Sequence, residues 1–249
     1  MASMMRRLIT GSAYWTFLRN KIGYNMTKYN TIIFDLDGTL LDTLDDLTDA
    51  VNYVMDKHDE PTHTREAVRS FVGNGIRNLM IRAIPGGEGC ESFEEQFAEF
   101  KSYYTAHSRE KTRPYAGITD LLKELKERGF ATAIVSNKAQ EPVSILADEY
   151  FGELIDAAVG DGDGRRIKPA PDACEEAMRR LGDLYPDRRI DSDTCLYIGD
   201  SDVDAMTAEN SGMDYILVSW GFRSRDLLEK YSAVGIADEP EDIAEGLAF

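Results

Sequence analysis

Four short runs of almost uninterrupted apolar residues lie along the chain, and each ends abruptly at polar residues. Such runs are typical of strands in a parallel sheet that is covered on both faces. Segments with helical spacing separate the later runs, and each is followed by a glycine, as helix ends often are. This alternation predicts an α/β fold with a doubly wound, mainly parallel sheet. The predicted strands are Thr31–Phe34, Ala131–Val135, Cys195–Ile198 and Tyr215–Ser219, and the predicted helices between them are Ile118–Arg128, Asp172–Leu181 and Val203–Ser211.

Residues 43–113 depart from this alternation, because they have helical periodicity and no convincing strand. We therefore expect an α-helical domain inserted after the first strand, with an α/β core formed by residues 26–42 and 114–249. The helices predicted in this insertion are Leu44–Lys57, Arg65–Ile84 and Ser92–His107.

The charge is unevenly distributed. The first 34 residues carry five basic and no acidic side chains, whereas the whole chain has a formal net charge of −17, which leaves −22 on the remainder. A basic, acid-free start resembles an organelle transit peptide. We favour a different interpretation, in which residues 1–25 are an extension that is disordered or not native and the domain opens at Met26. The acidic remainder argues against nucleic acid or an anionic membrane as the main partner.

The three cysteines are irregularly spaced and form no CxxC pair, which indicates reduced thiols and a cytoplasmic location. No apolar run approaches the length of a membrane span. The sequence leaves open whether the protein is a monomer or a homodimer.

Polar side chains cluster directly after the predicted strands. Ligands of open α/β sheets bind outside the carboxyl ends of the strands, so these side chains are the candidate functional residues. A lysine in a proline-rich loop joins them. They are Asp35, Asp37, Gly38, Thr39 and Asp42 after the first strand, Ser136 and Asn137 after the second, Asp200, Asp202 and Asp204 after the third, and Lys168 in the loop.

The residue types indicate phosphoryl chemistry. Asp35, Asp37 and Asp200 would form an oxygen-rich pocket that suits Mg²⁺ better than zinc, since no His or Cys is present at these positions. The cation and Lys168 would supply the positive charge that an anionic phosphate needs in an acidic protein. Simpler interpretations remain open. An isolated DxDG is a common turn, Ser136 could cap a helix near Glu141, and either Asp202 or Asp204 could support the metal while the other only caps a helix.

Four segments together resemble the sequence motifs of the haloacid dehalogenase-like superfamily, from about Met26 to the C-terminus. They match in order the DxDGT motif, the serine or threonine of the second motif, the lysine that precedes Pro-x-Pro-Asp, and the GDxxxD motif. The matching segments are Asp35–Thr39, Ser136, Lys168–Asp172 and Gly199–Asp204. The helical insertion lies where subclass I members carry a cap domain, so we call residues 43–113 the cap.

The resemblance implies a role for each residue. Asp35 would attack phosphorus and form an aspartyl phosphate, and Asp37 would protonate the leaving alcohol and then activate water. Mg²⁺ would be held by the Asp35 carboxylate, the Asp37 backbone carbonyl and Asp200, with Asp204 in support. The ligands of the phosphoryl oxygens would be Thr39, Ser136, Asn137 and Lys168. Dehalogenases and phosphonatases lack an Asp at the position of Asp37, so halide displacement and C–P cleavage are not expected.

Within the superfamily the chain most resembles the phosphoglycolate phosphatase group, through Phe71–Gly75 in the cap and Ser219–Phe222 after the last strand. We therefore expect a Mg²⁺-dependent hydrolase of a small phosphate monoester, with 2-phosphoglycolate as the leading candidate. The alternatives are a sugar-phosphate mutase related to β-phosphoglucomutase, an inorganic pyrophosphatase, and a non-catalytic protein that binds phosphorylated metabolites. The cap should decide the substrate, and the polar or flexible cap residues considered for contact with it are His58, Arg69, Gly73, Asn74, Gly75 and Arg77.

Overall fold

The described part of the chain, residues 28–73 and 75–247 of a computed structural model, alternates strands with helices except in the cap. Its strands are β1 Thr31–Phe34, β2 Leu41–Asp42, β3 Arg113–Pro114, β4 Ala131–Ala139, β5 Ala157–Asp161, β6 Cys195–Gly199, β7 Asp214–Val218 and β8 Gly235–Ala237. Its α-helices are α1 Leu44–Lys57, α2 Arg65–Phe71, α3 Gly75–Ala83, α4 Phe93–His107, α5 Ile118–Glu127, α6 Gln140–Tyr150, α7 Asp172–Leu184, α8 Asp202–Asn210, α9 Arg225–Leu228 and α10 Pro240–Gly246.

Six strands form one parallel sheet in the order β5-β4-β1-β6-β7-β8. Thr31 pairs with Ala131 of β4 on one side and with Cys195 of β6 on the other. The three central strands therefore run in step and their carboxyl ends meet at one edge of the sheet. This confirms the predicted doubly wound parallel fold.

Side chains of β1 alternate between two buried layers, as the twofold period of a strand requires. Ile32 and Phe34 belong to a cluster formed with α5, α6 and α10, whereas Ile33 belongs to a cluster formed with α7 and α8. The sheet is thus covered on both faces, which explains why its strands read as continuous apolar runs.

The strand predictions were right in position and incomplete in number. All four predicted strands are present, but β4 continues to Ala139, and β2, β3, β5 and β8 were not predicted. The short strands β2, β3 and β8 contain too few residues to show a period. The helix predicted to end at Leu181 is longer, because α7 passes through Gly182 and ends at Leu184. A glycine inside a helix costs only about 1 kcal/mol relative to alanine, so it does not have to end one.

The single helix predicted over Arg65–Ile84 is wrong, since the chain forms α2 and α3 with a break between them. Val72 is extended, and Gly73 has a φ of 127°, a conformation that side-chain-bearing residues rarely adopt. A Cβ on Gly73 would lie 2.2 Å from Nη2 of Arg223. The break brings the cap backbone against the core at this point.

The cap helices α1 to α4 share a buried cluster that is separate from the two sheet layers. The antiparallel pair β2–β3 joins Leu41 to Pro114 and Asp42 to Arg113, so the chain enters and leaves the cap side by side. The division into core and cap remains a proposal, and both observations support it. The proposed extension, residues 1–25, lies outside the described residues. None of the helices in the described ranges combines the length and apolar character that a bilayer crossing requires.

Candidate active site

Three buried carboxylates meet at the edge of the sheet. Asp35 follows β1, Asp200 follows β6, and Asp204 lies in the first turn of α8. Each offers an oxygen within 4.8 Å of the other two. No histidine or cysteine belongs to this group, so the donors are oxygens of the kind that hard cations such as Mg²⁺ prefer.

Lys168 neutralises part of this cluster. Its Nζ donates to Asp35 Oδ1 at 2.5 Å and to Asp204 Oδ1 at 2.8 Å, and the Tyr197 hydroxyl lies 3.2 Å away. Burial by itself would lower the pKa of Lys168, but Asp204 and Asp35 outweigh it, so the pKa is raised and the side chain is charged.

Lys168 alone does not compensate the carboxylates, so their ionised forms are disfavoured in the absence of a further cation. Burial raises the pKa of Asp35 to about 7, although Lys168 opposes this change. Burial, together with Asp204 and Asp35, raises the pKa of Asp200 well above its ordinary value. Asp200 is further held by the backbone N–H of Phe222, which donates to its Oδ2 at 2.5 Å.

Asp202 and Asp204 have separate positions. Asp204 forms a capping box with the N-cap residue Ser201 of α8, accepting from the Ser201 hydroxyl at 2.5 Å and from the Ser201 N–H at 3.1 Å, and it joins the buried cluster. Asp202 points elsewhere and forms an ion pair of 2.8 Å with Arg223. Of the two carboxylates considered for metal support, the structure therefore brings Asp204 to the site.

Asp37 faces the end of β4. Its Oδ2 lies 3.5 Å from the Ser136 hydroxyl, and its Oδ1 lies 3.1 Å from Nζ of Lys138. Lys138 also donates to the hydroxyl of Tyr104 in the cap helix α4 at 2.6 Å. Lys138 thus links the Asp37 carboxylate to the cap.

Two residues expected to bind phosphate have other contacts. The Thr39 hydroxyl is fully buried and donates to Asp35 Oδ2 at 3.2 Å. The Asn137 amide is bound to the backbone of Lys168, accepting at 2.6 Å and donating at 3.1 Å. Thr39 therefore orients Asp35, and Asn137 fixes the loop that carries Lys168. Ser136, Asn137 and Lys168 line the cavity above the cluster.

The cavity has a volume of about 110 Å³, well below the range of several hundred Å³ common for drug-sized ligands. Its floor is the charged cluster and its roof is largely apolar. The cap contributes to this roof Leu47, Val72, Gly73, Gly75, Ile76, Leu79 and Tyr104.

The other cap residues considered for substrate contact lie away from the cavity or outside the described residues. Arg69 donates to the backbone carbonyls of Phe222, at 2.9 Å, and Gly221. Arg77 pairs with Glu88 and Glu94 at the surface. His58 pairs with Glu99 at 2.8 Å, and Asn74 is not among the described residues.

The loop after β7 connects the cap to the acidic cluster. The Phe222 side chain is buried in the cap cluster while its N–H holds Asp200. A Cβ on Gly221 would lie 2.3 Å from the Asp200 Cβ and 2.4 Å from the Gly38 carbonyl oxygen. Only glycine lets the loop pass this close to Asp200 and Gly38. The structure therefore explains why glycine precedes Phe222, independently of the family resemblance.

Sequence reasoning gave no site role to several residues that line the cavity or contact Lys168, among them Tyr104, Lys138, Tyr197, Phe222 and Arg223. The strand-end rule could have found Lys138, which directly follows Ser136 and Asn137. Tyr197 lies inside a strand, and the cap residue Tyr104 lies on a helix whose orientation the sequence does not specify.

The parallel sheet, the carboxylates at its edge and the buried lysine define a hydrolase that acts on phosphate esters. Sequence comparison then gives the family. The chain belongs to the haloacid dehalogenase-like hydrolases, whose family model matches residues 32–218, and within them to the phosphoglycolate phosphatase group.

Individual relatives agree with this assignment. The chain is 32% identical over 218 residues to phosphoglycolate phosphatase 1 of Pseudomonas aeruginosa, a match that covers 85% of this chain and 77% of that one. It is 26% identical to the pyrophosphatase PpaX of Bacillus mycoides, over 87% of this chain and 95% of the relative. A crystal structure of a proposed phosphoglycolate phosphatase from Lactobacillus delbrueckii subsp. bulgaricus superposes with a TM-score of 0.81 at 38% identity, covering 88% of this chain and 98% of the other. The protein is a phosphatase of this family.

Proposed function

We propose that the protein hydrolyses a short phosphate monoester, with 2-phosphoglycolate as the leading candidate, by transferring its phosphoryl group to Asp35. The observation that carries this proposal is the placement of Asp35 and Lys168 on the floor of a small cavity that also contains Asp37. It combines a nucleophile, a cation for the phosphoryl oxygens and a second carboxylate for proton transfer.

The residues present fit a divalent cation. Four carboxylates and two ammonium groups line the cavity, and the Arg223 that also lines it is paired with Asp202, so full ionisation of the carboxylates would leave two negative charges without a counter-charge. We propose that Asp35, Asp200 and the Asp37 backbone carbonyl hold Mg²⁺, with Asp204 in support. When bound, the ion offsets the repulsion between the Asp35 carboxylate and the phosphate anion.

The residues of the chain then divide the reaction into two steps. In the first, an oxygen of Asp35 bonds to phosphorus, the P–O bond to the leaving group breaks, and Asp37 gives its proton to the alcohol that departs. In the second, Asp37 takes a proton from water as the water oxygen attacks the aspartyl phosphate, which releases inorganic phosphate and restores Asp35. Lys168 and Ser136 stabilise the phosphoryl oxygens in both steps.

The cap side of the cavity supports a small leaving group. Leu47, Val72, Ile76 and Leu79 offer no hydrogen bonds for the hydroxyls of a sugar. A site that buries a sugar without such partners would leave its hydroxyls unsatisfied, at a cost of about 1–3 kcal/mol each. This favours hydrolysis of a compact ester over a sugar-phosphate mutase. Lys138 and Arg223 are the cations near this wall that could face a carboxylate on the leaving group.

Pyrophosphate is the second candidate substrate, because relatives named pyrophosphatases match 87% of this chain. Its leaving group is itself an anion, so it would use the same two cations. A non-catalytic role is disfavoured, since the reactive groups lie together in one cavity.

We further propose a cytoplasmic location, which the free thiols of Cys90, Cys174 and Cys195 support. The protein would act there as a monomer or a homodimer.

The test is a phosphate-release assay with Mg²⁺ over 2-phosphoglycolate, pyrophosphate and glucose 1-phosphate, with Asp35→Asn as the inactive control. We expect the highest kcat/KM on 2-phosphoglycolate and a loss of release in the variant. Undiminished turnover in Asp35→Asn would overturn the mechanism. Isomerisation of the sugar phosphate faster than phosphate release would establish the mutase instead.

A further inference from the structure

Lys138 occupies an unusual position between the core and the cap. Its Nζ lies 3.1 Å from Asp37 Oδ1 and donates to the Tyr104 hydroxyl at 2.6 Å, with the ammonium 4.5 Å from the centre of the Tyr104 ring. Its side chain is 10% exposed. A nearly buried ammonium group is costly unless it is paired, and these two partners pair it.

The contacts of Lys138 and Tyr104 determine the charge states of these two groups. Burial by itself would lower the pKa of Lys138, but Asp37 and Tyr104 outweigh it, so the pKa is raised and the ammonium persists. Burial raises the pKa of Tyr104 to about 12, so this hydroxyl is neutral and accepts the hydrogen bond from Lys138. The link is therefore a charge-assisted one across the cap–core boundary.

The contacts of Asp37 show why this link matters. The other side-chain group near its carboxylate is the Ser136 hydroxyl, at 3.5 Å, which is the outer limit of a hydrogen bond. Asp37 Oδ1 is buried and accepts no hydrogen bond from the described residues, so its ion pair with Lys138, at 3.1 Å, is the contact that orients this oxygen. Lys138 is constrained in turn by Tyr104, which belongs to α4 of the cap.

We propose that Lys138 is a positioning residue for Asp37, and that Tyr104 sets the position of Lys138 from the cap. The proposal rests on the function proposed above, in which Asp37 protonates the leaving group. It makes proton transfer depend on the packing of α4 against the core. If the cap is displaced, a bound ester can still contact Asp35, but Asp37 is not positioned to protonate its leaving group.

Leaving groups of different basicity isolate this role. The alkoxide of 2-phosphoglycolate needs a proton as it departs, whereas the acetate of acetyl phosphate is a weak base and does not. Both compounds are small, and both present the same phosphoryl group to Asp35 and Lys168. Ethyl phosphate, whose alkoxide leaving group carries no carboxylate, separates positioning by Lys138 from a contact between Lys138 and the substrate carboxylate, because only loss of the positioning role lowers its kcat/KM. The value of kcat/KM reports the first step, so a defect in Asp37 positioning lowers it on 2-phosphoglycolate far more than on acetyl phosphate.

The experiment compares Lys138→Met, Tyr104→Phe and Asp37→Asn with the wild-type enzyme on the two esters. General acid catalysis contributes about 100-fold or more, so Asp37→Asn should lose at least that much on 2-phosphoglycolate and far less on acetyl phosphate. We expect the same selectivity in Lys138→Met, with a loss of about 10- to 100-fold on 2-phosphoglycolate. Tyr104→Phe, which keeps the ring, should lose about 10-fold, as expected for one hydrogen bond to a charged group.

The matched controls are Tyr103→Phe and Lys123→Met. Tyr103 neighbours Tyr104 on α4 and stacks with Tyr53, and Lys123 pairs with Asp120 at the surface, so neither should change either rate. Equal losses on both esters in Lys138→Met, or a Tyr104→Phe enzyme that behaves like Tyr103→Phe, would overturn the proposal. A wild-type enzyme that releases phosphate from neither ester would instead refute the proposed function.

Discussion

The floor and the roof of the cavity are built on opposite principles. The floor consists of charged side chains at the ends of β1 and β6 and in the loop that carries Lys168, and each is held by several contacts. The roof consists of aliphatic side chains from three cap segments, with Tyr104 as its polar exception. Backbone register fixes the floor, whereas the packing of a separate helical cluster fixes the roof.

This difference implies that the floor and the roof recognise different parts of the substrate. The floor recognises the phosphoryl group, which every substrate shares, and therefore tolerates no change of charge. The roof meets the leaving group, which varies, and discriminates by shape and by exclusion of water. Changes to the floor should consequently abolish turnover, and changes to the roof should redistribute it among substrates.

The largest effect should come from removing the nucleophile. We expect Asp35→Asn to lower kcat by at least about 10⁴-fold, because loss of a nucleophile typically removes most of the catalytic advantage. Asp161→Asn is the matched control, since Asp161 also ends a strand of the same sheet but is exposed and does not line the cavity. A comparable loss in the control, or a slight loss in Asp35→Asn, would break the assignment of the floor.

Removal of the cation should have the next largest effect. Chelation of Mg²⁺ should abolish phosphate release, and added Mg²⁺ should restore it. Binding to the folded state alone stabilises a protein by about 2.7 kcal/mol at a concentration 100 times Kd, so Mg²⁺ should raise the melting temperature of the wild type. The same addition should leave Asp200→Asn almost unchanged, as calorimetry can verify. An equal shift in both proteins would place the cation elsewhere.

A substitution in the roof should act on one class of substrate. Ile76→Ala removes part of the apolar wall, and we expect kcat/KM for the preferred ester to fall about 10-fold, in line with about 1–3 kcal/mol for lost apolar contacts. The Mg²⁺-dependent melting shift should be unchanged. Ile81→Ala on the same helix is the control, since Ile81 packs within the cap cluster and does not line the cavity. If Ile76→Ala altered the affinity for Mg²⁺ instead, the roof and the floor would not act independently on substrate selectivity and cation binding.

The smallest effect should come from the contact that ties the roof to the floor. Arg69→Ala removes hydrogen bonds to the carbonyls of Gly221 and Phe222, so the free energy of unfolding should fall by about 1–2 kcal/mol. Urea denaturation measures this loss, and kcat should decrease only a few-fold. Arg179→Ala, which removes exposed ion pairs on α7, should leave stability almost unchanged. Equal stability of the two variants would show that the Arg69 contact does not hold the cap.

The contrast between floor and roof also separates what the sequence could predict from what it could not. Asp35 and Asp200 follow apolar runs whose strand character is visible, and parallel strands bring their ends to one edge. Lys138 could have been found by the same rule, since it follows Ser136 and Asn137, but its contact with Tyr104 of the cap has no signal in the sequence. The break at Gly73 has a local signal, because Gly73 and Gly75 both have positive φ and glycines are frequent in turns, but the helical periodicity on either side conceals it.

Residue roles were less predictable than residue positions for the same reason. Asn137 was expected to contact phosphate and lines the cavity, and its amide also binds the backbone of Lys168, so its role toward phosphate stays a prediction. That contact joins two segments 31 residues apart. The sequence identifies the polar groups at an edge, while only the three-dimensional arrangement determines which of them are already engaged.

Phe222 couples the docking of the cap to the binding of the cation. Its ring belongs to the cap cluster, and its N–H holds the Asp200 carboxylate. Coupling between two equilibria is reciprocal. If the docked cap increases the affinity for the cation, a bound cation stabilises the docked cap by the same free energy. A chelator would then weaken the docking of the cap although it makes no contact with the cap. A substrate that packs well against the roof would increase the affinity for the cation.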